Sequence, residues 1–239
     1  MLVRFDNVTK RYLRGPREIV ALDQVSFDVE PGERFGVLGT ARGGKSTLLR
    51  LAAGLERPDE GTVRLDDRDI ATLSRREHAR LLRHEIGCIW EASARSDAEA
   101  LQYVAWPLLS AGARYRDAIG QARAILRDVD SSDCAGARLC ELAASELTRI
   151  SIAQALIRHP RLLLADEPSK SLDAVERGAV LDLLRSVAIA RGVTLIVTAG
   201  DASGLVAPSR LASLDRGRLL LRSRQTGEVV PFKRPQRTG

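Results

Sequence analysis

The sequence predicts an α/β protein: a parallel-sheet core with an inserted, mostly helical block and an N-terminal antiparallel β region. Three observations carry this. Apolar runs of strand length, RFGVLG (34–39), RLLLADE (161–167) and VTLIVTA (193–199), alternate with helical patterns, as strands covered on both faces do. A glycine-rich loop follows the first run and opens a helix. Residues 92 to 150 hold almost no strand signal beyond a brief apolar YVAW; alanine, leucine and paired charges dominate there.

In chain order, LVRFDNVT (2–9) and IVALDQVSFDV (19–29) read as strands, and Pro31-Gly32 marks a turn. RFGVLG then runs through the glycine loop into a helix over 45–53, KSTLLRLAA. Residues 62 to 70 suggest a hairpin element and 74 to 84 a basic helix. LCELAASELTRISIAQAL (139–156) has the apolar spacing of a helix start. The strand RLLLADE, a helix over 174–190 and the strand VTLIVTA follow. The domain is expected to occupy 1–222, with its helical subdomain at about 92–150. A basic tail, 223–239, is expected to be flexible, fraying beyond about residue 225.

The chain has 239 residues, enough to bury a real core, with 44% hydrophobic and 28% charged residues, ordinary for a soluble globular protein. Its net charge is +6, and residues 216 to 239 account for all of it, with seven Arg and Lys against one acid, Glu228. The domain itself has no basic excess, so nucleic acid is not expected as a primary partner. The N-terminal MLVRFDNVTKRY has no apolar signal region, and runs such as LLLA are far too short to span a bilayer. Cys88, Cys134 and Cys140 fit neither a zinc nor a disulfide spacing and read as small buried residues.

Two motifs carry chemistry. Gly39-Thr-Ala-Arg42-Gly43-Gly44-Lys45-Ser46-Thr47 matches G-x-x-x-x-G-K-[ST], with a strand before it and a helix after. Such a loop curves backbone N–H groups around phosphate oxygens at a helix N-terminus. Lys45 then reaches the β- and γ-phosphates, and the Ser46 hydroxyl can ligate Mg²⁺. The second motif is the buried run ending in Asp166-Glu167-Pro168. Asp166 emerges at the carboxyl end of its strand, where it can hold the Mg²⁺ shell. Glu167 is placed to orient or deprotonate a water attacking the γ-phosphorus. An isolated Asp-Glu pair would be solvated surface, but the phosphate loop upstream gives it a partner.

With these residues in place, the chain resembles the ATP-binding subunit of an ABC transporter. It is nearest the group serving lipoprotein release, macrolide-type export and cell-division complexes. The likeness covers roughly residues 2 to 222 and rests also on FDNVTKRY, VALDQVSFDVEPGE, LLRLAAGLERPDEGTVRLD and LLLADEPSKSLD. It implies a P-loop NTPase (RecA-like) core binding ATP and Mg²⁺. The implied partners are a second ATP-binding subunit and transmembrane permease subunits, which would hold the chain at the cytoplasmic face of the membrane. Tyr12 takes the place of the aromatic that stacks on adenine, a partly buried sheet-edge tyrosine being the plainer reading. Ser171-Leu172-Asp173 resembles the loop that senses the opposite subunit, and 92–150 the subdomain that meets the membrane partner.

The departures from the family pattern are as informative. Arg42 replaces the middle glycine of the family's loop; it would contribute phosphate contacts, point to a partner subunit, or strain the loop if that position needs a positive φ. Glu91 stands where the family has a glutamine that meets Mg²⁺ and the attacking water; in a shifted loop it would be a plain surface acid. After VTLIVTA the family places a γ-phosphate-contacting histidine, but the chain reads Ala199-Gly200-Asp201, and His78, His84 and His159 fall elsewhere. Leu142-Ala143-Ala144-Ser145-Glu146, with Arg149 after it, occupies the signature position, usually Leu-Ser-Gly-Gly-Glu or Gln. Ala143 replaces the serine that caps the opposite subunit's γ-phosphate, while Ala144 and Ser145 add Cβ atoms where glycines let it approach. These residues imply a degenerate subunit that binds ATP·Mg²⁺, pairs more readily with a paralogue than with itself, and hydrolyses weakly. The alternatives are a slow but competent transport ATPase and a non-transport scaffold using the same fold.

Overall fold

The computed structural model describes residues 1–90, 97–222 and 229–230. In chain order the strands and helices begin with β1 (Val3–Arg14), β2 (Arg17–Val29), β3 (Arg34–Gly39), α1 (Lys45–Ala52), β4 (Glu60–Leu65), β5 (Arg68–Asp69) and α2 (Arg75–His84). β6 (Ile86–Ile89), α3 (Ala100–Leu109), α4 (Tyr115–Asp128), α5 (Ala144–Leu156), β7 (Leu162–Asp166) and α6 (Ala174–Ala190) follow. β8 (Thr194–Ala199), β9 (Arg210–Asp215), β10 (Arg218–Arg222) and β11 (Val229–Val230) complete the fold.

The elements form two sheets. β2-β1-β4-β5 is antiparallel, as expected for the N-terminal region. The second runs β11-β10-β9-β3-β8-β7-β6, with β9, β3, β8, β7 and β6 mutually parallel. Strand alternation divides the core in two. Leu162, Leu164 and Ile196 face the N-terminal sheet and α1, whereas Leu163, Ala165, Leu195 and Val197 face the helices α3 to α6. Phe5, Phe27 and Phe35 stack at centroid spacings of 4.6 and 5.1 Å and join the two sheets.

Local chemistry explains the helix boundaries. Ser74 caps α2 reciprocally with Glu77: Glu77 N–H donates to Ser74 Oγ and Ser74 N–H to Glu77 Oε2. Asp173 caps α6, its Oδ1 accepting from Val175 N–H at 2.8 Å and Glu176 N–H at 2.9 Å. YVAW, the one strand-like run in the helical block, lies inside α3, where Tyr103 N–H donates to Glu99 O. Pro107 in that helix deprives Tyr103 O of its helical donor. The Gln154 side chain of α5 supplies one instead, at 3.0 Å, and so ties α3 to α5.

Three expectations need correction. The helix after the glycine loop ends at Ala52, one residue early, and β6, β9 and β10 are strands in stretches read without any. The cysteines are not uniformly buried: Cys88 and Cys134 are half-buried and Cys140 is exposed. Of the expected tail, only Val229–Val230 falls among the described residues, where it pairs with β10.

Candidate nucleotide site

β3 delivers Gly39 to the loop, and α1 begins at Lys45. Gly44 caps α1 with φ of 99°, and a Cβ there would lie 2.2 Å from Ala21 O. Only glycine fits that approach of two backbones. Arg42 has φ of 63°, in the left-handed region that favours glycine. The strain expected of an arginine here is therefore present, at about 1–2 kcal/mol. The first N–H groups of α1 have no helical partner, and Lys45, Ser46 and Thr47, which carry them, line the cleft, an arrangement suited to phosphate.

Lys45 is only 5% exposed, and three acceptors surround its ammonium. They are Gly39 O at 2.6 Å, Thr40 O at 2.7 Å and Glu167 Oε1 at 2.9 Å. The three N–H donors are thus all engaged. Ser46 and Thr47 follow on the first turn and line the same cleft.

β7 carries Asp166 out of the core beside β8. Thr198 of β8, fully buried, donates to Asp166 Oδ1 at 2.8 Å and accepts from Glu167 N–H at 3.1 Å. One threonine hydroxyl therefore fixes both acids. Glu167, at φ of 45°, bends back so that its Oε1 meets Lys45 and its Oε2 meets Lys170 at 3.1 Å. Burial pushes its carboxyl up, but the ammonium groups of Lys45 and Lys170 outweigh that and hold it below the ordinary carboxylate range.

The cleft has a volume of about 730 Å³ and runs from Tyr12 past the glycine loop to Asp166, Glu167, Lys170 and Ser171. A backbone cradle that no Cβ could enter, a buried ammonium and a fixed carboxylate beside the Ser46 hydroxyl form the donor set for a triphosphate with Mg²⁺. ATP·Mg²⁺ fits this site. Tyr12 lines its far end, where its phenol donates to Glu56 and lies 3.4 Å from Thr47 Oγ1. Burial and then Glu56 push the phenol up. The Lys10 ammonium sits 5.6 Å from the ring centroid.

The stretch expected at the signature position, residues 142 to 146, opens α5. Ala143 occupies the N-cap with no side-chain acceptor to offer, and its N–H donates to Glu146 Oε2 at 2.8 Å. Ala144 reaches the cleft lining together with Leu147, Thr148 and Ser151 of the same helix. Ser145 does not: its hydroxyl donates to Glu176 Oε1 at 2.8 Å, on α6. Arg149 turns away to Val129 O, Asp130 O and the Asp130 carboxylate.

Beyond β8, Asp201 caps a short turn, accepting from Ser203 N–H at 2.9 Å and Gly204 N–H at 3.2 Å. Arg177 joins that turn to the loop before α6 by donating to Ser203 Oγ at 2.8 Å and Leu172 O at 3.1 Å. Among the described residues the cleft lining includes no histidine. His78 is engaged with Ala53 O, His159 with Arg191, and His84 lies in the last turn of α2. Glu91 lies outside the described residues, though Trp90 just before it lines the cleft.

Sequence reasoning missed Thr198, Lys170 and Glu176. Lys170, three residues after Glu167, was within reach of a spacing argument. Thr198 and Glu176 were not, because each acts on a residue about thirty positions away.

Comparison with known proteins agrees with the geometry. The ABC transporter family matches residues 22–170. The lipoprotein-releasing system ATP-binding protein LolD of Chromohalobacter salexigens is 32% identical, covering 92% of this chain and 93% of its own. The methionine import ATP-binding protein MetN 2 of Rhodococcus jostii is 38% identical over 98% of this chain and 68% of its own. Among solved structures, a dimeric ATP-binding cassette in a post-hydrolysis state with ADP and Pi superposes with a TM-score of 0.83. It is 27% identical and covers 91% of this chain and 96% of its own. The family match spans more than half of the chain and the LolD relative nearly all of it, so the chain belongs to the ABC transporter family.

Proposed function

We propose that the chain is a degenerate ATP-binding subunit. It binds ATP·Mg²⁺, couples nucleotide state to transmembrane permease subunits, and hydrolyses weakly, paired with a second ATP-binding subunit that is more readily a paralogue than a copy of itself. Among the described residues no helix is long and apolar enough to cross a membrane, so membrane association rests on the permease partners. The observation that carries the reading is the start of α5. Ala143 offers no hydroxyl, and the Ser145 hydroxyl is engaged within its own chain by Glu176.

In the reaction considered, Glu167 accepts a proton from the water whose oxygen bonds to the γ-phosphorus. The bond to the β–γ bridging oxygen breaks, and ADP and phosphate leave. Lys45 and the α1 N-terminus stabilise the charge on the phosphates. The missing signature hydroxyl and imidazole would each remove a donor to a charged acceptor. At about 2 kcal/mol apiece, turnover falls on the order of 10³-fold.

Hydrolysis by the purified chain, alone and with its permease complex, against Glu167→Gln tests this. The expected result is slow turnover that Glu167→Gln lowers further. Turnover as fast as that of a cassette with an intact signature overturns it. A slow but competent transport ATPase is the second reading, supported by the retained Lys45, Asp166 and Glu167. Stimulation of hydrolysis by cargo-loaded permease would favour it.

A further inference from the structure

Glu167 is shared between two lysines through different oxygens: Oε1 meets Lys45 at 2.9 Å and Oε2 meets Lys170 at 3.1 Å. Lys45 is the buried cation of the phosphate loop and Lys170 an exposed one on the loop after β7. To meet a phosphate, Lys45 must give up acceptors it now holds, Glu167 among them. A part-buried carboxylate that loses its cation is left uncompensated, which opposes the exchange.

We propose that Lys170 is a positioning residue for nucleotide entry. It keeps Glu167 anchored by Oε2, so that Lys45 can turn to a phosphate without stranding the carboxylate. Its side chain is exposed and long, and lies three residues from Glu167, so it follows the acid at small cost. The Thr198 hydroxyl on Glu167 N–H fixes the backbone of the acid, leaving the two lysines to decide where its carboxylate rests. This rests on the ATP-binding reading of the site and is independent of how fast hydrolysis runs.

The test is the affinity of the full chain for a non-hydrolysable ATP analogue with Mg²⁺, read by calorimetry in a double-mutant cycle. Lys170→Met is expected to weaken binding about tenfold when Glu167 is present, the scale of one unpaired, partly screened charge. In a Glu167→Gln background, where Lys45 has no anionic partner, the same change is expected to matter less than about twofold. Lys170→Arg restores binding to near the parent value. Equal weakening in both backgrounds, or none in either, overturns the proposal. If the unmodified chain takes up no analogue, the ATP-binding reading fails together with it; binding without coupling sinks this inference alone.

Discussion

Ser145 Oγ lies 2.8 Å from Glu176 Oε1, so the only hydroxyl among residues 143 to 145 is bonded to α6 of its own chain. Ser145→Ala should therefore act on stability and leave nucleotide affinity unchanged. The expected cost is about 1 kcal/mol in urea unfolding, the usual worth of one such bond.

Ala143 sits at the N-cap of α5 with φ of −67° and ψ of 162°, the extended conformation that a capping serine adopts. Ala143→Ser should stabilise the protein by about 1 kcal/mol by capping an open N–H of the first turn. Combined with Ala144→Gly and Ser145→Gly, it should raise the turnover of the assembled complex at least about tenfold. Paired unfolding and hydrolysis assays separate the two effects.

Thr198→Val keeps the shape of the side chain but removes the hydroxyl that joins Asp166 to Glu167 N–H. A buried donor left short of its partner costs about 1–3 kcal/mol. Because Asp166 then loses its orientation, the Mg²⁺ dependence of ATP binding should shift to higher metal concentration. Calorimetry over a Mg²⁺ series reads this directly.

Arg42 and Gly44 both have positive φ, at 63° and 99°, but only at Gly44 would a Cβ collide, 2.2 Å from Ala21 O. Gly44→Ala should abolish nucleotide binding and destabilise the domain by more than about 2 kcal/mol. Arg42→Gly relieves a left-handed arginine but adds freedom to the unfolded chain. It should therefore change stability by less than about 1 kcal/mol while leaving binding in place.

Asp59 accepts Arg11 N–H at 2.6 Å and the Lys10 ammonium at 3.1 Å, in front of Tyr12. The Arg11 bond holds its carboxyl below the ordinary range, with Lys10 adding to it and burial opposing. Its contribution to stability is then full above the unfolded carboxylate value, about 3.9, and is lost as pH falls through the lower folded value. Asp59→Asn should narrow the gap in urea stability between pH 7 and pH 3.

Burial pushes the Cys88 thiol up to about 12. In the folded protein it should resist alkylation at pH 8, where the thiolate is the reacting species, and label only on unfolding.

Much of the fold was legible because its signals are local. The glycine loop needs a strand before it and a helix after, and a run of four apolar residues ending in two acids allows few placements. Asp173 and its two bonded N–H groups show why the α6 boundary could be read to the residue. YVAW stood out as strand-like inside a block read as helical because a short apolar run has no period of its own; Glu99 and Gln154, contacts along and across helices, decide its state. β10 was hidden by Arg218 and Arg222 at the antiparallel end of the sheet, and β9, parallel to β3, by the mixed polarity of RLASLD. At the site, the residue types were visible and their partners were not. Ser145 read as an obstacle to an approaching phosphate, and its bond to Glu176 was out of sight.

Asp173, Glu176 and Arg177 occupy the first turn of α6, and between them they hold the loop before the helix, the start of α5 and the turn after β8. Three segments far apart in sequence, two of them bordering the cleft, thus hang from one helix turn. A substitution that unwinds that turn should therefore loosen all three at once, although no two of them are neighbours in the chain.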